Sequence, residues 1–165
     1  MKERWLSLYV ENQVGVLARI AGLFSGKSYN LHSLTVGETE DRSVSRMTIC
    51  VEGDDATFEQ IKKQLNRCVE VIKVVDLTNR PVHIKELLYI KVKGCTEEIK
   101  KELYRIAEVY GVNIVDYKKD MMLLECLQTE GKNNNLVDLV SSLCSQIEVV
   151  RGGCVAIESI SITER

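Results

Sequence analysis

The residues that could take part in acid–base or nucleophilic catalysis are few and lie far apart in the sequence. The two histidines are His32 and His83, and neither stands in a recognisable motif with a serine or cysteine nucleophile. The carboxylate pairs Asp54-Asp55 and Glu97-Glu98 fall where helices are expected to begin, and acidic residues there cap the helix and interact favourably with its dipole. We therefore predict that this chain has no catalytic residues.

Six cysteines are spread along the chain, mostly within apolar stretches, and no two of them form a C-x-x-C pair. They are Cys50, Cys68, Cys95, Cys126, Cys144 and Cys154. Structural zinc sites need closely spaced ligand pairs, which this sequence does not offer. We expect buried, unreactive thiols in a reducing compartment, and no metal site.

The segment Glu11–Val16 is the candidate for a binding site. It leads from a strand-like stretch into a helical one through Asn12 and Gly15. The first amides of a helix are unpaired and lie at the positive end of its dipole, so they attract an anion such as the carboxylate of an amino acid. Asn12 offers both a donor and an acceptor that could orient the rest of a zwitterion. From these residues alone, the alternative that Asn12 and Gly15 only form the turn into the helix stays open.

The first half of the chain alternates between strand and helix patterns that would position this segment. Strands are predicted over Arg4–Val10, Asn30–Val36, Ser45–Val51 and Val69–Val75. Two apolar stripes predict helices, one through Leu17, Ile20, Ala21 and Phe24 and the other through Phe58, Ile61, Leu65 and Cys68. The predicted order is βαββαβ.

The second half repeats this order after Pro81, the only proline, which we place in a linker over residues 79–85. Strands are predicted over Leu87–Lys93, Asn113–Tyr117 and Met121–Leu127, with Val149-Val150 and Val155–Ile157 as a last strand broken by Gly152-Gly153. A third helix begins after Thr96 and ends at Gly111. The apolar stripe of the fourth comprises Leu136, Leu139, Val140, Leu143 and Ile147.

These patterns predict an α+β protein of two ferredoxin-like βαββαβ sandwiches, over residues 1–78 and 86–165. Each would have a four-stranded antiparallel sheet with two helices on one face. Such small units have limited cores and open sheet edges, which favours a dimer at the least.

Composition and motifs exclude several functions of this fold. The net charge of -2 gives no basic excess for binding nucleic acid, and RNA-recognition domains need aromatic residues on their central strands, whereas this chain uses Phe only twice and Trp once. Acyl-phosphate hydrolases need an arginine in the first loop, and the loop Glu11–Val16 has none. Iron–sulfur ferredoxins need clustered cysteines, whereas those of this chain are widely spaced. The sequence has neither an apolar run long enough to span a membrane nor a signal peptide, so we expect a cytoplasmic protein.

Several runs of residues resemble a known family. Glu11-Asn12 followed by Gly15-Val16-Leu17 resembles the ligand loop of ACT domains, which bind amino acids in metabolic regulators. The runs that resemble the small subunits of acetohydroxyacid synthase (acetolactate synthase) are Gly22–Ser25, Tyr29–Leu31, Ser33–Val36, Ser45–Ile49 and Glu59–Leu65. The resemblance is specific over residues 4–78 and looser beyond them, where it rests on length, layout and Arg151-Gly152-Gly153. Ser28 stands where the family usually has glycine.

The resemblance implies a non-catalytic regulatory subunit. In this family the large subunit condenses two pyruvates, or pyruvate with 2-oxobutyrate, using thiamine diphosphate, FAD and Mg²⁺. The small subunit holds none of these cofactors; it raises the activity and confers feedback inhibition by valine, sometimes by leucine or isoleucine, in branched-chain amino-acid biosynthesis. The implied partners are the large catalytic subunit, a second copy of the chain bound through the ACT domains, and the amino-acid effector.

The resemblance also implies an effector site shared between two chains, in which the loop of one faces a strand start of the other. The residues carried over are Asn12, Gly15, Val16, Leu17, Asn30 and Leu31. Two alternatives remain: an ACT-domain regulator of a different biosynthetic enzyme or of transcription, and a scaffold that binds no ligand.

Overall fold

Twelve elements follow one another as two βαββαβ repeats in the computed structural model, which describes residues 2–26 and 29–161. The first six are β1 (Lys2–Glu11), α1 (Val16–Gly26), β2 (Leu31–Glu38), β3 (Val44–Gly53), α2 (Asp55–Leu65) and β4 (Val71–Asp76). The others are β5 (Val82–Lys93), α3 (Glu97–Tyr110), β6 (Asn113–Lys118), β7 (Met121–Gln128), α4 (Glu130–Leu143) and β8 (Ile147–Glu158). The predicted order is confirmed.

Each half forms a four-stranded sheet, ordered β2-β3-β1-β4 in the first and β6-β7-β5-β8 in the second. The pairings of β1 with β3 and β4, of β2 with β3, and of β7 with β5 and β6 are all antiparallel. This is the ferredoxin-like arrangement that the sequence predicts. In the first sheet β2 and β4 are the edge strands.

The first core lies between the two helices and one face of the first sheet. Leu6 and Leu8 of β1 are fully buried there, because alternate residues of a strand point to the same face. From α1 the core takes Val16, Ile20 and Phe24. The predicted stripe of this helix was off by one position at its start: Val16 is buried and Leu17 is 43% exposed.

The chain divides into two compact units whose limits differ from those predicted. The second comprises Ile84–Cys154, and the first comprises the described residues up to His83 together with those from Val155 onward. In the first unit, Arg46 donates from Nη2 to the carbonyl of Ala156 at 3.0 Å, on the sheet face away from the helices. Ser7 and Thr48 are buried on that face although they are polar. Which segments fold independently stays a prediction.

The linker over residues 79–85 is shorter than predicted. A turn closes where the amide of Arg80 donates to the carbonyl of Leu77 at 3.2 Å, and β5 begins directly after Pro81. Proline favours extended backbone, and the carbonyl of Pro81 accepts from the amide of Ser159 at 2.9 Å. Residues 82–85 therefore belong to a strand.

Two predictions about the end of the chain were wrong. Ile147 continues the apolar spacing of α4, but Cys144 is extended (φ -143°, ψ 126°), so the helix ends at Leu143 and Ile147 begins β8. The glycines at 152–153 do not break the last strand, which runs without interruption. At Gly152 a side chain would meet the carbonyl oxygen of Leu87 at 3.3 Å, so glycine permits close approach of the neighbouring backbone.

Candidate effector-binding site

The loop between β1 and α1 is fixed to the β2–β3 hairpin by Asn12. Its backbone amide donates to the carbonyl of Ser43 at 2.7 Å. Its Nδ2 donates to Oε1 of Glu38 at 3.1 Å and to the carbonyl of Arg42 at 2.9 Å. Both Nδ2 hydrogens are therefore used within the chain, and within residues 2–26 and 29–161 nothing donates to Oδ1. The amide oxygen of Asn12 is therefore an exposed acceptor that no described residue uses.

At the start of α1, Gly15 has φ +91°, a left-handed conformation that side chains rarely adopt. The amide of Arg19 donates to the carbonyl of Gly15 at 3.0 Å and opens the helical ladder. The amide of Val16 donates to the carbonyl of Gln13 at 3.3 Å, so among the described residues the first-turn amides without a backbone acceptor are those of Leu17 and Ala18. The first turn contains no acidic residue that would occupy these amides. This end of the helix is therefore suited to an anion.

Glu38 is a candidate residue that the sequence analysis missed. It is the last residue of β2, and its carboxylate lies against the Asn12 side chain. A carboxylate beside a free amide oxygen suits an ammonium group. The sequence gives no hint of this contact, because it depends on how β2, β3 and β1 are aligned in the sheet.

Asn30 and Leu31 lie at the other end of the sheet from Asn12. Leu31 pairs with Val51, which pairs with Arg4 near the start of β1. Asn12 follows the end of β1, about eight residues further along the strand, which corresponds to roughly 25 Å at ~3.3 Å per residue. Leu31 is half-buried against the first core and Asn30 is exposed. One chain alone therefore does not bring the six predicted residues together.

The carboxylate pairs lie at helix starts, as expected. Asp54 is the N-cap of α2 and accepts from the amide of Thr57 at 2.7 Å, which lowers the pKa of Asp54. Glu97 forms an ion pair with Lys100 at 2.9 Å, which lowers the pKa of Glu97. These contacts give the carboxylates a structural role.

None of the six cysteines forms a disulfide; five are buried, as the sequence predicts, and Cys68 is half-buried. Burial raises the pKa of Cys126 to about 11 and raises the pKa of Cys95 as well. A thiol with a raised pKa stays protonated at neutral pH and is a poor nucleophile. The unusual residue of the predicted helix-to-strand turn, Ser28, lies outside the described residues.

Comparisons with known proteins agree with this arrangement. The sequence profile described as the AHAS small subunit-like ACT domain matches residues 6–73. A second, described as the small subunit of acetolactate synthase, matches residues 85–160. The first unit, with its βαββαβ order and its loop at the start of α1, is therefore an ACT domain, the class of module that the sequence predicts.

Full-length relatives extend this result to the whole chain. The acetolactate synthase small subunit of Aquifex aeolicus is 39% identical, over 99% of this chain and 85% of its own length. The small subunit of acetolactate synthase isozyme 3 from Escherichia coli is 34% identical, over 93% and 94%. The crystal structure of the small subunit from Thermotoga maritima superimposes with a TM-score of 0.88 at 32% identity, over 98% and 100%. The chain belongs to the family of acetolactate synthase small subunits.

Across the described part of the chain, no helix combines the length and the apolar character that crossing a bilayer requires.

Proposed function

We propose that this chain is the regulatory subunit of an acetolactate synthase. It activates the catalytic large subunit and makes the enzyme subject to feedback inhibition by valine, or by leucine or isoleucine. The observation that best supports this function is the loop at the start of α1. There the acceptors of Asn12 and Glu38 belong to the loop that leads into a helix start, where the amides of Leu17 and Ala18 have no backbone acceptor among the described residues.

The groups of this loop match those of a free aliphatic amino acid. The first-turn amides of α1 take the carboxylate, and Oδ1 of Asn12 takes the ammonium with Glu38 close by. The exposed Leu17 supplies apolar surface for a branched side chain. A ligand that lacks either charged group would lose one half of these interactions.

A second copy of the chain completes the site. Strand β2 is an edge strand, and two such edges can pair antiparallel about a two-fold axis. The Glu38 end of one β2 then adjoins the Leu31 end of the other. Because Asn12 contacts Glu38, this pairing brings its loop towards Asn30 of the partner subunit. The separation of the two residue groups within one chain is therefore what a shared site requires.

Condensation of the 2-oxo acids takes place on the large subunit, with thiamine diphosphate, FAD and Mg²⁺, and we assign no cofactor to this chain. Membership of the small-subunit family favours this function over regulation of another biosynthetic enzyme or of transcription. We expect the assembly to work in the cytoplasm.

Thermal unfolding with matched ligands tests the proposed site. Valine should raise the Tm of the dimer, since a ligand that binds only the folded state stabilises it by about 2.7 kcal/mol at one hundred times its Kd. Isovalerate lacks the ammonium and isobutylamine lacks the carboxylate, so neither should match valine. An equal shift with all three would contradict the zwitterion site, and a stable monomer that binds valine with full affinity would contradict the shared site.

A further inference from the structure

The outer edge of β4 borders a cavity of about 620 Å³ within the first unit. One wall consists of Val74–Leu77 and the other includes the last turns of α2. Ser7, Tyr9, Arg46 and Ile157 also line it, so the cavity extends round the outer edge of β4 onto the sheet face that the helices leave uncovered.

The backbone of β4 leaves hydrogen-bonding groups free on this outer edge. The amide of Leu77 donates to the carbonyl of Trp5 at 2.9 Å, so in the antiparallel register the backbone groups of Val75 and Lys73 also face β1. Those of Val74 and Asp76 consequently point outward. Over residues 2–26 and 29–161, no other strand pairs with this edge. The edge therefore has unpaired donors and acceptors of the kind that add a further strand.

Basic side chains surround this edge. Five cations line the cavity, namely Arg46, Lys62, Lys63, Lys73 and Arg80, against three carboxylates. Lys62 is paired with Asp76 at 2.9 Å, and Arg80 is paired with Glu158. In the part of the chain that the structure describes, Lys63 and Lys73 have no carboxylate partner. The edge is locally positive although the whole chain carries a net charge of -2.

A second copy of this chain is a poor occupant for such an edge. Two-fold pairing of β4 with itself would bring two positively charged edges together, and like charges near one another are destabilising. The β2 edge, which the proposed dimer uses, leaves β4 accessible. The charge around β4 instead complements carboxylates on an extended segment.

We propose that the outer edge of β4 binds an extended, acidic segment of the catalytic large subunit by strand addition. This inference rests on the proposed function, which supplies the partner. The backbone of Val74 and Asp76 continues the sheet into the bound segment, while Lys63 and Lys73 pair with its acidic side chains.

Amide hydrogen exchange on the full chain tests strand addition directly. With purified large subunit as the probe, exchange at the amides of Val74 and Asp76 should slow at least tenfold. An edge already protected in the small-subunit dimer alone, or one whose exchange does not change when the large subunit binds, would overturn the inference.

The affinity of variants for the large subunit distinguishes the contribution of the lysine charges from that of backbone hydrogen bonding. The double variant Lys63→Glu/Lys73→Glu and the single variant Val74→Pro, which removes one outward amide but no bond to β1, should each raise Kd at least tenfold. The control Lys101→Glu/Lys119→Glu makes the same charge change at exposed sites of the second unit and should stay within twofold. If circular dichroism shows that Val74→Pro is unfolded, the lysine variants and the exchange measurement still test whether the large subunit binds at β4.

The outcomes distinguish the two levels of the hypothesis. If the wild-type chain does not bind the large subunit at all, the proposed function fails and this inference fails with it. If the wild type binds but the β4 variants bind equally well, only the inference is overturned.

Discussion

Asn12 combines a structural contact with a free acceptor. Its Nδ2 holds the loop against Glu38 and Arg42, while Oδ1 is left for a ligand. If the effector binds at Oδ1 as proposed, we expect occupation of the site to be coupled to the position of the β2–β3 hairpin. Because that hairpin includes the edge strand through which we expect the dimer to form, the proposed effector site and the proposed dimer interface would be linked at this one residue.

The variant Gly15→Asp should abolish feedback inhibition while leaving activation of the large subunit largely intact. A side chain at φ +91° strains the backbone, and a carboxylate at the helix start repels that of the effector. Acetolactate formation by the reconstituted enzyme against valine concentration measures this. Gly131→Asp, in the first turn of α4 and with open space around it, is the matched control and should be inhibited like the wild type. Inhibition of Gly15→Asp at the same valine concentration as the wild type would show that the effector binds elsewhere.

The variant Asn12→Ala should be milder. Loss of a hydrogen bond to a charged group costs about 1.5–3 kcal/mol, which corresponds to roughly a ten- to hundredfold weaker affinity for valine. Calorimetric titration of valine into the small subunit gives this affinity directly. An unchanged affinity would show that Asn12 serves only to hold the hairpin.

The helices and strands were predictable wherever local chemistry decides them. Thr96 and Gly111 cap α3 as the sequence indicates, with the hydroxyl of Thr96 accepting from the amide of Ile99 and Gly111 left-handed at φ 63°. The early start of β5 and the uninterrupted β8 were not predictable, because contacts with distant residues decide them. The helix start at Gly15 could be recognised from sequence, whereas the Asn12–Glu38 contact required the register of three strands.

Within the second unit, Arg151 joins β8 to β5 through a buried carboxylate. Its Nη1 donates to both oxygens of Glu86 at 3.1 and 3.2 Å, and Nδ2 of Asn133 donates to Oε2 at 2.9 Å. Glu86 is 3% exposed, so its charge depends on these donors. The Arg151-Gly152-Gly153 run, which supported the resemblance over the second half, is thus part of the packing of this unit.

The variant Arg151→Met should destabilise the chain by about 3 kcal/mol, because it leaves the carboxylate of Glu86 buried without its cation. Urea unfolding monitored by circular dichroism measures the change. Adding Glu86→Gln should restore part of the loss. Arg105→Met removes an exposed ion pair with Glu102 and should change stability by no more than about 0.5 kcal/mol. Equal effects of the two arginine variants would contradict a structural role for the buried pair.

At the scale of the whole molecule, the first unit uses residues from both ends of the chain. A fragment of residues 1–80 keeps both helices and the whole first sheet but loses the contacts of Ala156 with Arg46 and Thr48. We therefore expect the fragment to fold and dimerise with a Tm about 5–10 °C below that of the first unit in the full chain. Circular dichroism and sedimentation measure this. A fragment that is unfolded, while the full chain is folded, would contradict the prediction that residues 1–78 form a domain.

The regulatory role itself is tested most directly by acetolactate formation from pyruvate, measured with the large subunit alone, with this chain alone and with the two combined over a wide range of ratios. We expect no product from this chain alone and a rate for the combination above that of the large subunit alone. Valine should lower the rate of the combination towards or below that of the large subunit alone. A large subunit whose rate and valine response are unaffected at every ratio would contradict the proposed function.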